Sequence, residues 1–531
     1  MVHKDANKIY KVKTLDKNMA TKSKSVSNLK EHIENPQVFK TRKPKGFLCI
    51  TKTQNPKKVL FVVPDVVGDK GGATAPLPGV AYVAGYVRHI GHEVAAVDMR
   101  INRGMANLFA KIQEFKPDMI GLSFMAMEFK PVYLFIAELK KEFPNIKIVA
   151  GGAGGSTFED QVIKDTGVDY VITREGERAL VELLEGWPLE DVQGLVYLKD
   201  GQIQKNALRQ FDFDISSLPF PAYDIFPIRE YIDAKIPVVT SRGCPYQCTF
   251  CAMKKSMGVA WRPRTPENIV AEIRHWYNQG FRQFHFVDDN FTLDMERAEV
   301  LCDAIINSGM KIKWDLRNGI RADRVNERLL QKMKDSGCFY FAFGIESMDQ
   351  QVLDKMKKNL KVENVYEAVK MAEKVGIPFG GFFIIGLLED TFEKFMKSYE
   401  FAKATPFEEV RFYNPIPFPG TELYVELVER NLLRFSADHY LNDSSKTFSE
   451  EPIFATPEFT VEERKKALKM GQKLMMYKIM IKEFGEIPGN IAYRAWQIRP
   501  LRAIIHKPGA FIWRQLRRAK KRQVLATQYV F

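Results

Sequence analysis

Two periodicities alternate along the chain from Lys57 onward. Short apolar runs at residues 59–63, 93–97, 119–124, 146–150 and 170–172 read as strands. Residues 79–90, 106–115, 132–143 and 177–184 instead space their apolar positions as helices do, with one more short helix after Glu159. Near-continuous apolar strands alternating with helices predict βαβ units and a parallel sheet covered on both faces. Five such strands predict an α/β, doubly wound, Rossmann-like domain over residues 57–190. Its ligand belongs at the carboxyl ends of the strands, in the loops at 64–78, 123–130, 151–156 and 173–177. Two of these are Gly-rich, so a ligand can approach the backbone closely.

Residues 193–206 read as a hairpin turning at Asp200-Gly201, and Leu218-Pro219-Phe220-Pro221 as a stiff crossing, which makes 191–235 a hairpin and linker. A second alternation follows, with strands at 237–240, 283–287, 311–315, 339–343, 379–385 and 409–412. Six βα units over 236–425 are too few for an eight-fold barrel and predict a partial, TIM-type (β/α)6 barrel with its chemistry at the C-terminal strand ends. Asp288, Asp289, Asn290, Arg317, Glu346, Ser347, Gly386, Glu389 and Asn414 fall there. Residues 426–531 form a helical C-terminal region with an amphipathic stretch at 461–484. Residues 1–56 lack periodicity and read as a basic, disordered leader.

Charge sharpens this division. The net +14 is concentrated at the ends: residues 1–58 carry +11 and residues 493–522 carry +10, which leaves about −7 for the middle. The tail interleaves Trp496, Ile504, Ile505, Phe511, Ile512, Trp513 and Leu516 with its basic residues, a pattern suited to peripheral contact with an anionic membrane. A basic patch alone does not indicate nucleic acid. No apolar run is long enough to span a bilayer, and the polar start does not resemble a secretory signal. Six cysteines in 531 residues, three of them clustered, fit a reducing, cytoplasmic setting and not a disulfide framework.

The cluster is the chemical centre of the chain. Ser241-Arg242-Gly243-Cys244-Pro245-Tyr246-Gln247-Cys248-Thr249-Phe250-Cys251 places Cys244, Cys248 and Cys251 in a C-x3-C-x2-C spacing after the first barrel strand. Three thiolates on one loop make a metal site. A structural zinc closes with four ligands, and a fully ligated iron–sulfur cube takes four cysteines. Three leave a zinc loop lacking a ligand, or a cube with one open iron. Cys49, Cys302 and Cys338 stand alone and read as small buried hydrophobes.

The triad with Phe250 before its last cysteine resembles the signature of the radical S-adenosylmethionine (SAM) enzymes. Val287-Asp288-Asp289-Asn290, Gly344-Ile345-Glu346-Ser347, Gly381-Phe382-Phe383-Ile384-Ile385-Gly386 and Pro415-Ile416-Pro417-Phe418-Pro419-Gly420-Thr421 match the same family. The resemblance implies a [4Fe–4S] cluster on the three cysteines. S-adenosylmethionine would sit on the open iron, near Phe250, Asp289, Glu346 and Gly386. Leu387-Leu388-Glu389-Asp390-Thr391 departs from the usual Leu-Pro-Gly-Glu-Thr.

The first domain resembles the cobalamin-binding domain of one large subfamily, through Pro76-Leu77-Pro78-Gly79-Val80-Ala81-Tyr82, Gly91-His92-Glu93-Val94, Gly151-Gly152, Glu175-Gly176-Glu177 and the Pro-rich linker. It implies a cobalamin near Pro78, Ser123, Gly151, Gly152, Glu175 and Gly176. The D-x-H-x-x-G motif is absent, and His92 reads as a surface or turn residue, so no His ligand to cobalt is offered. The function implied is a cobalamin-dependent C-methyltransferase acting on an unactivated carbon. Its rivals are an anaerobic oxidative cyclase of tetrapyrrole biosynthesis and an inactive cofactor-binding regulator. A methylthiotransferase lacks support, because the first domain has no second cysteine triad. The expected partners are a small-molecule, lipid or tetrapyrrole substrate and an electron donor such as ferredoxin or flavodoxin. The resemblance names no catalytic side chain.

Overall fold

A computed structural model describes residues 52–65, 73–102, 104–125, 129–211, 214–441 and 451–498. Most of the leader, the basic tail from residue 499 and parts of two predicted loops lie outside these residues.

The first sheet contains β1 (Lys58–Val63), β2 (Glu93–Asp98), β3 (Met119–Ser123), β4 (Lys147–Gly151), β5 (Tyr170–Ile172), β6 (Leu195–Lys199) and β7 (Gln202–Lys205). Its order is β2-β1-β3-β4-β5-β6-β7, with β1 to β5 parallel. The order reverses between β1 and β3, the switch point at which doubly wound sheets take ligands. Helices α1 (Pro78–Ile90), α2 (Met105–Phe115), α3 (Phe129–Glu142), α4 (Gly152–Thr157), α5 (Glu159–Asp165) and α6 (Glu177–Leu184) connect these strands. The hairpin β6–β7 does not stand apart with the linker. It pairs antiparallel with β5, which covers an edge that a three-residue strand would leave open. The linker crosses α1, where Ala222 N–H donates to Ala81 O at 2.8 Å.

The second sheet contains β8 (Ile236–Val238), β11 (Gln283–Phe286), β12 (Lys313–Ile320), β13 (Cys338–Glu346), β14 (Phe379–Ile384) and β15 (Glu409–Tyr413). All its pairings are parallel and run in chain order, from β8 at one edge to β15 at the other. This is a partial barrel wall. A short ribbon of β9 (Ser241–Arg242) and β10 (Arg262–Pro263) brackets the cysteine loop and α7 (Met253–Met257). Helices α8 (Pro266–Asn278), α9 (Met295–Asn307), α10 (Glu327–Asp335), α11 (Gln350–Lys355), α12 (Val362–Val375), α13 (Phe392–Ala404) and α14 (Glu422–Glu429) follow. Side-chain caps from Thr265, Asp294, Asn326, Asp349, Thr391 and Thr421 fix where six of them begin.

Beyond the barrel, α15 (Ala437–Leu441) and Ile453 return to the core of the first sheet. Helix α16 (Val461–Phe484) starts on a Thr460–Glu463 capping box and packs along β15, and α17 (Glu486–Gln497) folds back on it. No helix among the described residues is long and apolar enough to cross a membrane.

Candidate functional site

The cysteine loop is fastened at its root before any cofactor is considered. It leaves β8 through Thr240 and Ser241. The fully buried carboxylate of Asp288, just beyond β11, accepts the Thr240 N–H at 2.6 Å, the Ser241 hydroxyl at 3.0 Å and the Thr240 hydroxyl. Asp289 accepts the Gly243 N–H at 2.8 Å, and burial pushes its pKa up to about 6. Gly243 has φ +83, and an added Cβ would stand 2.3 Å from Ala260 O, so the loop can begin only with glycine. Further on, the Arg321 guanidinium lies 3.7 Å from the Tyr246 ring centre, and Arg324 donates to the Tyr246 hydroxyl at 3.0 Å. Thr249 is pinned on both sides, donating to Met356 O and accepting from Leu423 N–H, each at 3.0 Å.

Cys244, Cys248 and Cys251 are free thiols on this fixed loop. Burial raises the Cys248 pKa and pushes Cys251 up to about 11, and each also feels its neighbouring thiols. Metal ligation has to remove those protons. The donor set of three soft sulfurs without a fourth fits a cluster that keeps one iron open. Among the described residues, no three His, Cys, Asp or Glu side chains are set as ligands of one ion. Three thiols that each take a different iron do not need to converge on a point.

Next to the loop, a cavity of about 460 Å³, partly open to solvent, occupies the barrel mouth. Phe250 and Glu346 line it, together with Phe382, Arg411 and Tyr413. Glu346 has φ +69 and sits at a register shift between β13 and β14, a bulge of the kind that re-aims a strand-end side chain. Its carboxylate is 2.8 Å from Lys358 Nζ. Leu468, Gly471, Gln472 and Met475 of α16 form the outer wall.

A second cavity of about 450 Å³ lies over the carboxyl ends of the first sheet. Pro78, Ser123, Gly151, Gly152, Glu175 and Gly176 all line it. Its volume falls within the roughly 300–1,000 Å³ usual for ligand pockets, and its mouth is open to solvent. Glycine backbone at Gly151, Gly152 and Gly176 forms part of its lining; Gly152 has φ +80, and an added Cβ there would stand 2.6 Å from Ser123 Oγ. Among the described residues, no histidine lines it. The opposite wall comes from the barrel through Val239, Met253, Met257, Val287 and Asp289, and Asn318 lines both cavities.

Buried charges join the two halves. Arg242, in the cysteine loop, reaches Glu175 at 2.8 Å and Glu177 at 2.9 Å, and Arg262 reaches Glu175 at 2.8 Å. The Arg242 guanidinium also lies 4.8 Å from the Tyr82 ring centre. Burial alone would raise the Glu175 pKa, but the two guanidiniums outweigh it and hold it below the usual range. Helix α4 packs on α7 beside them.

Of the residues expected near S-adenosylmethionine, Phe250 and Glu346 share the barrel cavity, while Asp289 faces the other one. Gly386 lines neither. It donates to Asp390 at 2.7 Å and accepts from Arg464 at 2.6 Å, and Arg464 fills the space a Cβ would need. His92 is not at the surface. It is buried at the amino end of β2, where Nδ1 accepts the Lys57 N–H at 3.2 Å and Nε2 lies 3.1 Å from Glu185. The sequence reading missed Arg242, Arg262, Asn318 and the α16 wall. Arg242 had a usable signal: a cation at the end of an apolar strand needs buried acids, and Glu175 and Glu177 were available.

Comparison with known proteins gives consistent findings. Residues 238–402 match the Radical SAM superfamily, and residues 64–184 match the B12 binding domain. An uncharacterized methyltransferase of Pyrococcus horikoshii is 30% identical over 455 residues, covering 82% of this chain and 97% of the relative. The cytidylyl-2-hydroxyethylphosphonate methyltransferase of Streptomyces wedmorensis is 26% identical over 449 residues, covering 72% of this chain and 84% of that protein. The radical S-adenosylmethionine methyltransferase TsrM of Kitasatospora setae, solved with tryptophan and a SAM analogue, aligns with a TM-score of 0.62 at 18% identity. That alignment covers 70% of this chain and 76% of the other, and the likeness is one of fold.

Proposed function

The chain belongs to the radical SAM superfamily, in the group that carries a B12 binding domain ahead of the barrel, and on that premise we propose that it methylates an unactivated carbon of a small molecule. Its cofactors are a [4Fe–4S] cluster, S-adenosylmethionine and cobalamin. When bound, the cluster and S-adenosylmethionine supply a hydrogen-abstracting radical, and cobalamin supplies the methyl group.

The protein's own part is to hold and exclude. Cys244, Cys248 and Cys251 would hold the cluster, on a loop fixed by Asp288, Asp289 and the Tyr246 clamp. Phe250 and Glu346 would bound the S-adenosylmethionine space, and Asp289 would face it from the side of the other cavity. Gly386 would act one layer back, by letting Arg464 approach. Pro78, Ser123, Gly151, Gly152, Glu175 and Gly176 would cradle the corrin, with Glu175 held by its two arginines. The apolar side chains of Phe250, Phe382 and Met475 would limit water around a radical. In this reading the first cofactor domain takes in the hairpin and runs over residues 57–206, residues 236–425 are the second, and the Pro-rich segment between them is the linker. A cytoplasmic electron donor of the ferredoxin or flavodoxin class would serve the cluster, and the basic ends would let the enzyme work beside a membrane on a lipid or tetrapyrrole.

One observation supports methyl transfer above the rest: Asn318 borders both cavities, so a substrate held there faces the cluster side and the corrin side together. The test is anaerobic reconstitution with cobalamin, reduction, and assay against candidate substrates with methyl-labelled S-adenosylmethionine. The expected result is 5′-deoxyadenosine with label in the product. Ring closure without label would replace this reading with an oxidative cyclase. No 5′-deoxyadenosine from loaded protein would remove the enzyme reading altogether.

A further inference from the structure

Helix α17 is short and has two apolar faces where one would be enough. The inner face is Gly489, Tyr493 and Trp496. Gly489 brings the helix so close to α16 that an added Cβ would stand 2.7 Å from Met480 O. Tyr493 packs on Tyr477 with ring centres 5.1 Å apart, and Trp496 is buried. This face seats the helix.

The outer face is Ile487, Ile491, Arg494 and, just past the end of the helix, Ile498. Their spacing of four, three and four residues is that of one helical stripe. The three isoleucines are 76%, 65% and 50% exposed, and Phe484, at the end of α16, is 59% exposed. Single exposed apolar residues need no explanation, but a periodic row of β-branched aliphatics with a cation in it does. The inner face already supplies the packing, so the fold itself does not require the outer one.

The sequence that follows indicates what the row faces. Residues 499–522 hold nine Lys/Arg and no Asp/Glu, with Ile504, Ile505, Phe511, Ile512, Trp513 and Leu516 among them. Aliphatic residues with a cation on one stripe, continued by a basic aromatic segment, suit an interface that is apolar within and negatively charged at its surface. A protein groove would need no such excess of positive charge.

We propose that the outer stripe of α17, Ile487, Ile491, Arg494 and Ile498, docks the enzyme on an anionic lipid surface. This narrows the peripheral contact suggested above to a built face, and it does not depend on the reaction. Since α16 also walls the barrel cavity, the docked helix pair would set that cavity beside the membrane.

The experiment is flotation of the full-length protein with phosphatidylcholine vesicles and with vesicles containing about 30% phosphatidylglycerol, at ionic strengths of about 0.15 M and 0.5 M. The wild type is expected to float with the anionic vesicles at the lower salt only. The I487E/I491E double variant should bind them at least tenfold more weakly, with unchanged cobalamin binding and melting temperature. Three results overturn the proposal. The wild type fails to float, or the variant floats equally well, which would leave the tail as the sole anchor. Alternatively, the wild type elutes as a dimer that the variant breaks, which would make the stripe a contact between two copies. Methyl-transfer activity is not read in any arm, so failure here leaves the proposed reaction untouched.

Discussion

At Asp390, burial and hydrogen bonding pull in opposite directions. Its carboxylate accepts the N–H groups of Gly386 at 2.7 Å and Thr391 at 2.9 Å and feels the buried Arg464, yet burial dominates and pushes its pKa up to about 7. Burial likewise pushes Arg464 down to about 10. A carboxyl whose folded pKa exceeds its unfolded one contributes stability in full below the unfolded value, and loses it as pH rises through the folded value. The wild type should therefore lose stability, on the order of 2–4 kcal/mol, as pH rises from about 4 through about 7. Asp390→Asn keeps an acceptor for Gly386 but cannot titrate. Its melting temperature should fall less than that of the wild type between pH 5 and 8; parallel curves would show that Asp390 is not the titrating group. Pairs such as Asp288-Asp289 were legible in the sequence, because polar residues that end an apolar strand stand out. Asp390 was not, because its environment depends on Arg464, far along the chain.

At the scale of elements, the alternation of strand and helix was legible almost throughout, since strands buried on both faces need unbroken apolar runs. The failures have local causes. Residues 152–157 are rich in glycine, a poor helix former, and read as loop. They form α4 because a helix there must pass Phe124 and pack on α7, and glycine allows both. Strand β12 extends to Ile320, past the predicted end at 315, because Arg317 and Asn318 are polar residues that face cavity or ion pair and break the apolar run. The amphipathic stretch at 461–484 predicts helix α16, but its place over the barrel mouth could not be read from its own sequence. There Gly471 sets the distance, since an added Cβ would stand 2.6 Å from Phe412 Cβ. Gly471→Ala should push α16 off β15 and cost about 1–3 kcal/mol, despite alanine's better helix propensity. Chemical denaturation measures this; a stabilised variant would mean that the helix seat is looser than the contact implies.

Across the whole molecule, the two cavities stay in register because buried charge fastens the halves at the base of the cysteine loop. Arg242 and Arg262 belong to the barrel half, and Glu175 and Glu177 to the first sheet's half. These pairs are nearly dry, so salt screens them little. Removing one partner strands the other in low dielectric, at about 3–5 kcal/mol. Arg242→Met leaves Glu177 without its cation and Glu175 with one of two. Its thermal unfolding should therefore split into separate transitions for the two halves, where the wild type is expected to show a single one. Acid should have a related effect. The depressed Glu175 pKa contributes stability above its unfolded value of about 4.5 and loses it as pH falls through the folded value. Calorimetry below pH 4.5 should then bring the wild-type profile towards that of Arg242→Met. A variant that still melts in one step at neutral pH would mean that the packing of α4 on α7, and not the charges, holds the two cavities together.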